Sequence, residues 1–412
     1  MDKVELLAPA GDLEKLKIAV LYGADAVYFG GESFSLRAGA DNFSLDEMKE
    51  GLEFAHARGV KCYLALNIYA HNEDIEPLRE YLRQIRELAL DAFIVADPAV
   101  IDMIREAIPK AKIHLSTQAN TTNYAAAMFW YRQGIRRLVL ARELSLAEIA
   151  QIRANTPADL TLEAFVHGAM CISYSGRCLL SNFMIERDAN RGQCAHPCRW
   201  KYALVEQQRP GEYYPLEEDE RGSYILNSKD LCMIEHIPEL ARAGVTSFKI
   251  EGRVKSAFYV ANVVSAYRQA LDSYLADPEG WRFEPAWMEE LCKVSHREFT
   301  TGFYFHEPDN NGQNYRTSQY TRDYTFLAMV RSYDSETGLA LVEQRNKMTV
   351  GDDVEVFGPG GVCFRQQLDE MYDAESGEAI SSAPHPKQLL LLRLKQPCGQ
   401  YFMLRKRKEE KC

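Results

Sequence analysis

The sequence has no long apolar run. Nowhere does it approach the roughly 18 uninterrupted apolar residues of a membrane span, and its first five residues, MDKVE, carry charges where a signal peptide would have an apolar segment. We therefore expect a cytoplasmic protein without a membrane partner. Thiols stay reduced in the cytoplasm and disulfides are rare there, which favours metal binding over disulfide formation for the cysteines that lie close together.

Basic residues are outnumbered, since 48 Lys and Arg stand against 59 Asp and Glu and give a formal net charge of −11. This balance argues against a surface coated with basic patches, although a local cleft can still be basic and bind nucleic acid. The basic run 405–408 is interpreted as a solvated tail, and the acidic stretch 217–220 as a solvated loop.

Motifs of several common enzyme classes are absent. No G-x-G-x-x-G follows the first apolar run, which argues against a dinucleotide-binding fold. There is no H-E-x-x-H helix of a metalloprotease and no G-x-S-x-G nucleophile elbow. The C-x3-C-x2-C arrangement of radical-SAM enzymes is missing as well.

Up to about residue 275, short apolar runs alternate with longer stretches of helical pattern. Continuous apolar runs are typical of parallel strands that are buried on both faces. The eight runs are 4–7, 26–29, 61–66, 92–96, 112–116, 137–140, 161–166 and 247–250. Eight strands alternating with helices predict an α/β fold, a (β/α)8 TIM-like barrel. An open, doubly wound sheet is the alternative.

The pattern changes after about residue 320, where glycine-rich turns separate short strands. We predict a barrel domain over residues 1–315 and a small C-terminal all-β domain, a barrel or a sandwich, over residues 322–412. The interval between the seventh and eighth strands, at about 168–245, is too long for a simple connection. Because loops that follow barrel strands form active sites, this interval is predicted to be an insertion at the active site.

Four cysteines cluster in this insertion with the spacing C-x6-C-x15-C-x3-C: Cys171, Cys178, Cys194 and Cys198. Four thiolates from one segment are the ligand set of a tetrahedral metal ion or an iron–sulfur cluster. Structural zinc sites favour close cysteine pairs, and only the last two form one, whereas irregular spacing on loops suits a cuboidal cluster. Spacing alone leaves an iron–sulfur cluster, zinc and unliganded thiols open. The other six cysteines are interpreted as buried or incidental.

The residues around the first two cysteines carry a family signature. EAFVHGAMC over 163–171, followed by SGRCLLS over 175–181, resembles the signature of peptidase family U32, a collagenase-like family of unassigned catalytic type. LLAPAG over 6–11, DAVYFGG over 25–31 and SFKIEGR over 247–253 are similar to further stretches of that family. The resemblance covers the barrel and, less specifically, the C-terminal domain.

The family resemblance implies an activity, a cofactor and a substrate. Several members are oxygen-independent hydroxylation factors with a [4Fe–4S] cluster on four cysteines, and branches act on ubiquinone precursors, ribosomal RNA or tRNA. This chain is most similar to the tRNA branch, which makes 5-hydroxyuridine at the anticodon wobble position with prephenate; the stretch QCAHPCRW over 193–200 fits it. The resemblance therefore implies the four cysteines as cluster ligands, the anticodon loop of tRNA as a partner and a small dicarboxylic acid as co-substrate.

Other readings stay open at this point. A U32-type peptidase is the alternative function, with Cys171 or Cys178 as nucleophile and His167 as base. A zinc-stabilised RNA-binding module without chemistry is a third. Some relatives work as pairs, so a heteromer with another family member is also open.

Side chains near the strand ends are candidates for the rest of the site. Glu163 and His167 start the signature and precede a cysteine, so they are predicted to be catalytic and to move protons. Arg142 follows the sixth strand, and Lys249 and Arg253 flank the end of the eighth. These cations are predicted to bind the anionic acid.

Further residues are predicted to line a substrate pocket or to hold RNA. Asn67, Gln118 and Glu251 are polar residues at strand ends, although Glu251 and Lys249 could instead form a polar layer inside the barrel. Aromatic and guanidinium planes can stack on unpaired bases. The candidates for such stacking are Tyr174, Arg199, Trp200 and Tyr202; packing against the insertion is the alternative for the last two.

Overall fold

The computed structural model describes residues 4–32, 34–35, 42–171, 173–200, 203–205, 213–215, 228–306 and 321–408. The acidic stretch 217–220 and Tyr202 lie outside these ranges. So does the link between the two predicted domains, and the boundaries at 315 and 322 stay predictions. Within these ranges, no helix is long and apolar enough to cross a membrane.

Twelve strands lie in the described part of residues 4–306. They are β1 (Glu5–Pro9), β2 (Ala26–Phe29), β3 (Lys61–Leu66), β4 (Ala92–Val95), β5 (Ile113–Leu115), β6 (Arg137–Val139), β7 (Thr161–Ala169), β8 (Ala203–Val205), β9 (Tyr213–Pro215), β10 (Asp230–Cys232), β11 (Val245–Ile250) and β12 (Phe299–Thr300). β1 to β7 are parallel neighbours, and β11 pairs in parallel with both β7 and β1, which closes a barrel. The predicted (β/α)8 fold is confirmed, and the open-sheet alternative is wrong.

Ten α-helices are described, and most of them connect the strands. They are α1 (Leu13–Leu21), α2 (Leu45–His56), α3 (Ile75–Ile85), α4 (Pro98–Ala107), α5 (Tyr124–Arg132), α6 (Leu146–Ala154), α7 (Leu180–Ile185), α8 (Ile237–Arg242), α9 (Ala257–Ala276) and α10 (Pro285–Cys292). Ser44 and Ser145 begin α2 and α6 with capping boxes that satisfy the first backbone N–H groups. The helix α9 is buried on most sides because it packs against both the barrel and the C-terminal domain.

The barrel interior contains an apolar cluster and several buried polar and charged residues. Strands β1 to β4 contribute an apolar cluster that consists of Leu7, Ala26, Tyr28, Tyr63, Ala65, Ala92 and Ile94. His114, Glu163, Ser247 and Lys249 are also buried. Partners across parallel strands share a face, and Lys249 pairs with Leu7, so it points into the same interior.

The C-terminal domain is all-β, as predicted. Its strands are β13 (Tyr324–Asp334), β14 (Leu339–Gln344), β15 (Met348–Thr349), β16 (Asp353–Phe357), β17 (Cys363–Gln367), β18 (Met371–Asp373), β19 (Ser382–Ala383), β20 (Leu389–Arg393) and β21 (Met403–Arg407). Seven form an antiparallel sheet in the order β17-β16-β21-β13-β14-β20-β18, and β15 pairs with β19. Burial alternates along β14 and β17, as in a sheet with one face on a core.

The basic run 405–408 is not a solvated tail, and that prediction is wrong. Its first residues belong to β21, which lies between β16 and β13, and the Arg405 side chain is completely buried. The guanidinium lies 2.8 Å from Glu290 of α10 and 2.9 Å from Glu355 of β16. It also donates to Asn262 of α9 and lies 4.3 Å from the centroid of the Phe357 ring. Arg405 therefore joins the C-terminal domain to the helices of the barrel.

Replacing Arg405 with methionine should weaken this junction. Removing one partner of a buried ion pair costs about 3–5 kcal/mol, and we expect the lower end because Lys293 still lies 3.1 Å from Glu355. Urea denaturation measures the loss. Arg365→Met is the control, since Arg365 contacts the same carboxylate but is 77% exposed; it should cost less than about 1 kcal/mol. Equal losses would contradict the role assigned to Arg405.

The contribution of this junction to the stability of the fold should also depend on pH, because it involves the Glu355 carboxyl. Burial alone would raise the pKa of this carboxyl, but Arg405 and Lys293 lower it to about 2, from about 4.3 in an unfolded chain. A carboxyl with a lowered pKa stabilises the fold above its unfolded pKa and loses that contribution as the pH falls. The stability difference between wild type and Arg405→Met should thus be full above about pH 5 and shrink between about pH 4 and pH 2. Urea denaturation across this range measures it, and a constant difference would argue against the assignment.

Candidate functional site

A cavity of about 760 Å³ opens at the carboxyl ends of the barrel strands. Its floor consists of residues of the barrel interior, among them Tyr28, Ala65, Ile94 and Phe165. Its opposite wall is formed by residues 169–200, which we call the cysteine segment. The cavity therefore lies where the loops of barrel proteins form active sites.

All four clustered cysteines line this cavity. Cys171 is exposed, and the other three are half-buried. The cysteine segment contains short elements, namely α7 and the 3₁₀ turns Ala189–Arg191 and Pro197–Arg199; Cys198 lies in the last of these, and the other three cysteines lie on the loops around them. The spacing that is irregular in sequence thus brings four thiols to one wall.

Residues that follow β3 and β5 fix the cysteine segment to the barrel. Asn120 Nδ2 donates to the carbonyl of Ser175 at 3.2 Å, and the Tyr69 hydroxyl joins the two loops by donating to the carbonyl of Gln118 at 2.9 Å. Gly176 has a φ of 74°, and a Cβ there would lie 2.5 Å from the Tyr69 ring. Only glycine fits this close approach without strain. The contact with Tyr69 therefore explains why the signature has a glycine at this position.

The donor set fits a group of several irons. Among the described side chains, no three of His, Cys, Asp or Glu gather closely enough to hold one metal ion. A tetrahedral zinc site needs its sulfurs about 2.3 Å from a single point, whereas a four-iron cluster takes four thiolates spread over its irons. Four thiols on one cavity wall are the donors that such a cluster takes. The His196 N–H donates to Cys194 Sγ at 3.4 Å, a type of contact that tunes thiolate ligands.

The cavity lining is cationic although the chain is acidic. Of the described residues that line it, Glu251 is the only carboxylate. The basic residues in the lining are Arg142, Lys249, Arg253, Lys255, Arg297 and Arg322. Low-dielectric walls strengthen the field of such a group, so the cavity favours an anion that carries more than one charge.

Arg142 is held with its guanidinium plane fixed. Its central carbon lies 3.9 Å from the centroid of the Phe165 ring, and Nη1 donates to the carbonyl of Ala169 at 2.9 Å. Nη2 lies 3.7 Å from Glu251, while Nε has no hydrogen-bond partner in the described part of the chain. A planar cation held in this way is suited to orient a carboxylate.

Lys249 lines the cavity, but Glu163 lies behind it. Lys249 Nζ donates to Glu163 Oε1 at 2.7 Å and lies 4.5 Å from the centroid of the Tyr28 ring. Glu163 is completely buried, and its Oε2 lies 3.5 Å from Nη1 of Arg137. Since Glu163 is not among the described lining residues, its position does not support direct contact with a substrate, and its catalytic role stays a prediction.

A β-bulge separates His167 from the cavity. Phe165 pairs with Lys249 across β7 and β11, but the next pair is His167 with Ile250, so Val166 is an extra residue in β7. A bulge of this kind changes the side to which the following side chains point. His167 therefore shares the outer face of the barrel with Ile250.

The surroundings of His167 are aromatic and dry. Its ring packs against Tyr267 and Phe299, at centroid distances of 5.5 and 5.6 Å. Burial, followed by the nearby Lys255 and His296, lowers the pKa of His167 to about 3. The ring is thus neutral at physiological pH and faces α9, and its predicted catalytic role finds no support in this position.

Arg253, Asn67 and Gln118 all line the cavity, and their substrate-binding role stays a prediction. Arg253 Nη2 donates to Ser35 Oγ at 2.8 Å, which fixes the loop after β2 to the loop after β11. Gln118 Oε1 accepts from Ser116 Oγ at 3.4 Å, whereas its Nε2 has no partner among the described residues. Buried donors normally meet a partner, so a ligand or an ordered water is expected there.

Two of the predicted stacking residues lie at the cavity. Tyr174 and Trp200 belong to its lining and remain 47% and 44% exposed, so they are not fully packed. Tyr202 and the side chain of Arg199 lie outside the described part of the chain. The cavity therefore has exposed aromatic rings next to its basic side chains.

Three basic lining residues were not predicted from the sequence. Lys255 is two residues beyond Arg253 in the loop after β11. It would have been predicted if residues up to five positions beyond the strand end had been considered. Arg297 and Arg322 come from the segments after α10 and before β13. No local pattern connects these segments with the barrel opening, and only the fold brings them there.

Comparison with known proteins shows two matching family models and several similar proteins. The family model described as "Peptidase family U32" matches residues 11–314, and "Peptidase family U32 C-terminal domain" matches residues 322–405. The tRNA hydroxylation protein P1 of Bacillus subtilis (strain 168) is 43% identical over 406 residues, which cover 98% of this chain and 95% of that protein.

Two other relatives carry different names. The 23S rRNA 5-hydroxycytidine C2501 synthase of Escherichia coli (strain K12) is 38% identical over 307 residues, 73% of this chain and 45% of that protein. A collagenase of Porphyromonas gingivalis (strain ATCC BAA-308 / W83) is 32% identical over 386 residues, 91% of each chain. The matches extend over both the barrel and the C-terminal domain, and the chain belongs to peptidase family U32.

Proposed function

We propose that this chain is an RNA-modifying enzyme that hydroxylates the anticodon wobble uridine of tRNA to 5-hydroxyuridine, in the cytoplasm and without O₂. The observation that carries the proposal is the single cavity in which four cysteines and six basic side chains meet at the active-site end of a barrel. The relatives named for hydroxylation of tRNA and for synthesis of 5-hydroxycytidine in ribosomal RNA support the same class of reaction.

Cys171, Cys178, Cys194 and Cys198 would hold a [4Fe–4S] cluster on the wall of the cavity. When bound there, the cluster supplies electron-transfer or Lewis-acid chemistry. The chain contributes the thiols and a segment that is fixed to the barrel by the hydrogen bond from Asn120 to Ser175 and by the packing of Tyr69 on Gly176. The site is thus preorganised on the barrel instead of depending on a mobile loop.

The basic lining supports a dianionic co-substrate, and prephenate, a dicarboxylate, is the acid that the family resemblance implies. Arg142 and Lys249 lie over the same Phe165 ring, at 3.9 and 5.4 Å from its centroid. Two cations beside one ring can bind the two carboxylates of one small molecule. Glu251 lies 3.7 Å from Arg142 and restrains it when no acid is bound.

The rim of the cavity supports binding of a single unpaired base. Tyr174 and Trp200 present exposed rings, on which an unstacked base of an anticodon loop can lie. Lys255 and Arg322 add positive charge to the lining and can contact phosphates. On this arrangement the target uridine enters the cavity while the rest of the loop stays at the rim.

A U32-type peptidase is the second candidate. His167 faces α9 and is a poor base, but His196 lines the cavity next to Cys194 and could serve a thiol nucleophile. One relative is named a collagenase. Six basic side chains and four thiols exceed what a cysteine peptidase requires, so we favour the hydroxylase.

Mass spectrometry of nucleosides tests the proposed function. In a strain that lacks this gene, 5-hydroxyuridine and its derivatives in tRNA should fall, and the wild-type chain should restore them. Cys178→Ala should fail to restore them because a cluster ligand is lost. Cys363→Ala is the matched control, because Cys363 is an exposed cysteine of β17 outside the cavity; it should act like wild type.

The same strains separate the two candidates. Unchanged tRNA nucleosides in the deletion strain would refute the proposed substrate, and ribosomal RNA and peptides would be tested next. Cleavage of denatured collagen by the purified wild type, lost in Cys178→Ala and in His196→Ala, would support the peptidase.

Iron content tests the proposed cofactor directly. The wild-type protein purified without oxygen should be brown and hold about four irons per chain. Cys194→Ala should lose most of this iron, and Cys363→Ala should keep it. Removal of iron with a chelator should abolish hydroxylation, and reconstitution with iron and sulfide should restore it. A colourless protein that contains zinc would instead favour the RNA-binding module without chemistry.

A further inference from the structure

Glu163 and Lys249 belong to a column of alternating charges inside the barrel. Glu163 Oε1 accepts from Lys249 Nζ at 2.7 Å, and its Oε2 lies 3.5 Å from Arg137 Nη1. Arg137 also pairs with Glu5. The order along the column is therefore Glu5, Arg137, Glu163 and Lys249, and of these four only Lys249 lines the cavity.

The far end of the column is anchored at the opposite opening of the barrel. Glu5 accepts from the Tyr63 hydroxyl at 2.8 Å and from Ser247 Oγ at 3.0 Å, and Lys61, which is 56% exposed, lies 3.3 Å away. Burial alone would raise the pKa of the Glu5 carboxyl, but Arg137, Tyr63 and Lys61 lower it. Glu5 thus stays charged at neutral pH, and the column holds two negative and two positive charges.

Lys249 depends on this column for its position. A lysine side chain has many rotamers, but Glu163 on one side and the Tyr28 ring at 4.5 Å on the other restrict its ammonium. If the charge of Glu163 were removed, the ammonium and the Arg137 guanidinium would remain in the same interior without the carboxylate between them. Like charges in a medium of low dielectric repel strongly, so the ammonium would move away from its present position.

We propose that Lys249 anchors one carboxylate of the acid co-substrate and that Glu163 is a positioning residue that acts through Lys249, with Arg137 and Glu5 holding Glu163 in place. The inference rests on the proposed function for the identity of the co-substrate as a dicarboxylate. If the column only stabilised the barrel, loss of Glu163 would lower stability and leave acid binding unchanged.

Glu163→Gln tests the proposal, because it keeps the size of the side chain and removes its charge. The measurements are the KM for prephenate in tRNA hydroxylation and the Kd for prephenate and malonate by calorimetry. A misplaced charge-assisted hydrogen bond should raise both constants about 10- to 100-fold, while kcat changes less than about threefold. Lys249→Met should raise them at least as much. Glu163→Gln combined with Lys249→Met should equal Lys249→Met, because Glu163 acts through Lys249.

Glu343→Gln is the matched control. Glu343 lies 2.7 Å from Arg331 and 3.1 Å from Arg345 in the C-terminal domain, so this variant also removes a carboxylate between two cations, away from the cavity. It should change stability alone. A Glu163→Gln protein that is less stable but binds prephenate like wild type overturns the proposal. The proposal is also overturned if the effects of the two single substitutions on the Kd for prephenate add up in the double variant.

The two readouts separate failure of this proposal from failure of the proposed function. A wild type that binds a dicarboxylate but modifies no tRNA refutes the proposed function, while the Kd values of the variants still decide the role of Glu163. A wild type that binds neither acid overturns the positioning role even if it hydroxylates tRNA.

Discussion

The charges buried inside the barrel impose the constraint on which the rest of the structure depends. A charge removed from water is stable only beside an opposite charge or several hydrogen-bond partners. Within the barrel, two carboxylates and two cations balance one another in the order Glu5, Arg137, Glu163 and Lys249. At the cavity the balance ends, because the described lining residues include six basic side chains and one carboxylate. That excess of positive charge makes this end of the barrel suited to bind anions.

The family signature encodes the transition from the balanced interior to the cavity. Glu163 supports the column, Phe165 is the platform for Arg142, and His167 packs on α9 after the bulge at Val166. Gly168 follows with a φ of 109°, and a Cβ there would lie 2.7 Å from a backbone carbonyl of the loop after β11. The signature thus explains how the strand leaves the barrel and reaches the first cysteine, in addition to any role in chemistry.

The sequence was sufficient for the fold but not for the orientation of single side chains. The strands β2 and β3 were predicted with their observed bounds, because parallel strands buried on both faces are continuous apolar runs. The signature and the following cysteine predict His167 at the active site, but a bulge turns it away, and a bulge has no sequence pattern that reveals it. Arg405 looked like part of a tail, since the sequence of a strand end does not show which carboxylates other segments bring to it. Arg297 and Arg322 reach the cavity through the fold alone.

The acidic character of the chain and its proposed RNA substrate are compatible for an electrostatic reason. RNA phosphates are repelled by a surface of net negative charge, and this repulsion is weakest where basic residues collect. In the described part of the chain, the cavity gathers six such residues and two exposed aromatic rings. An RNA would therefore approach this opening in preference to the surrounding surface. Selectivity would then depend on the base that enters the cavity, which is the requirement for an enzyme that modifies one uridine of an unstacked loop.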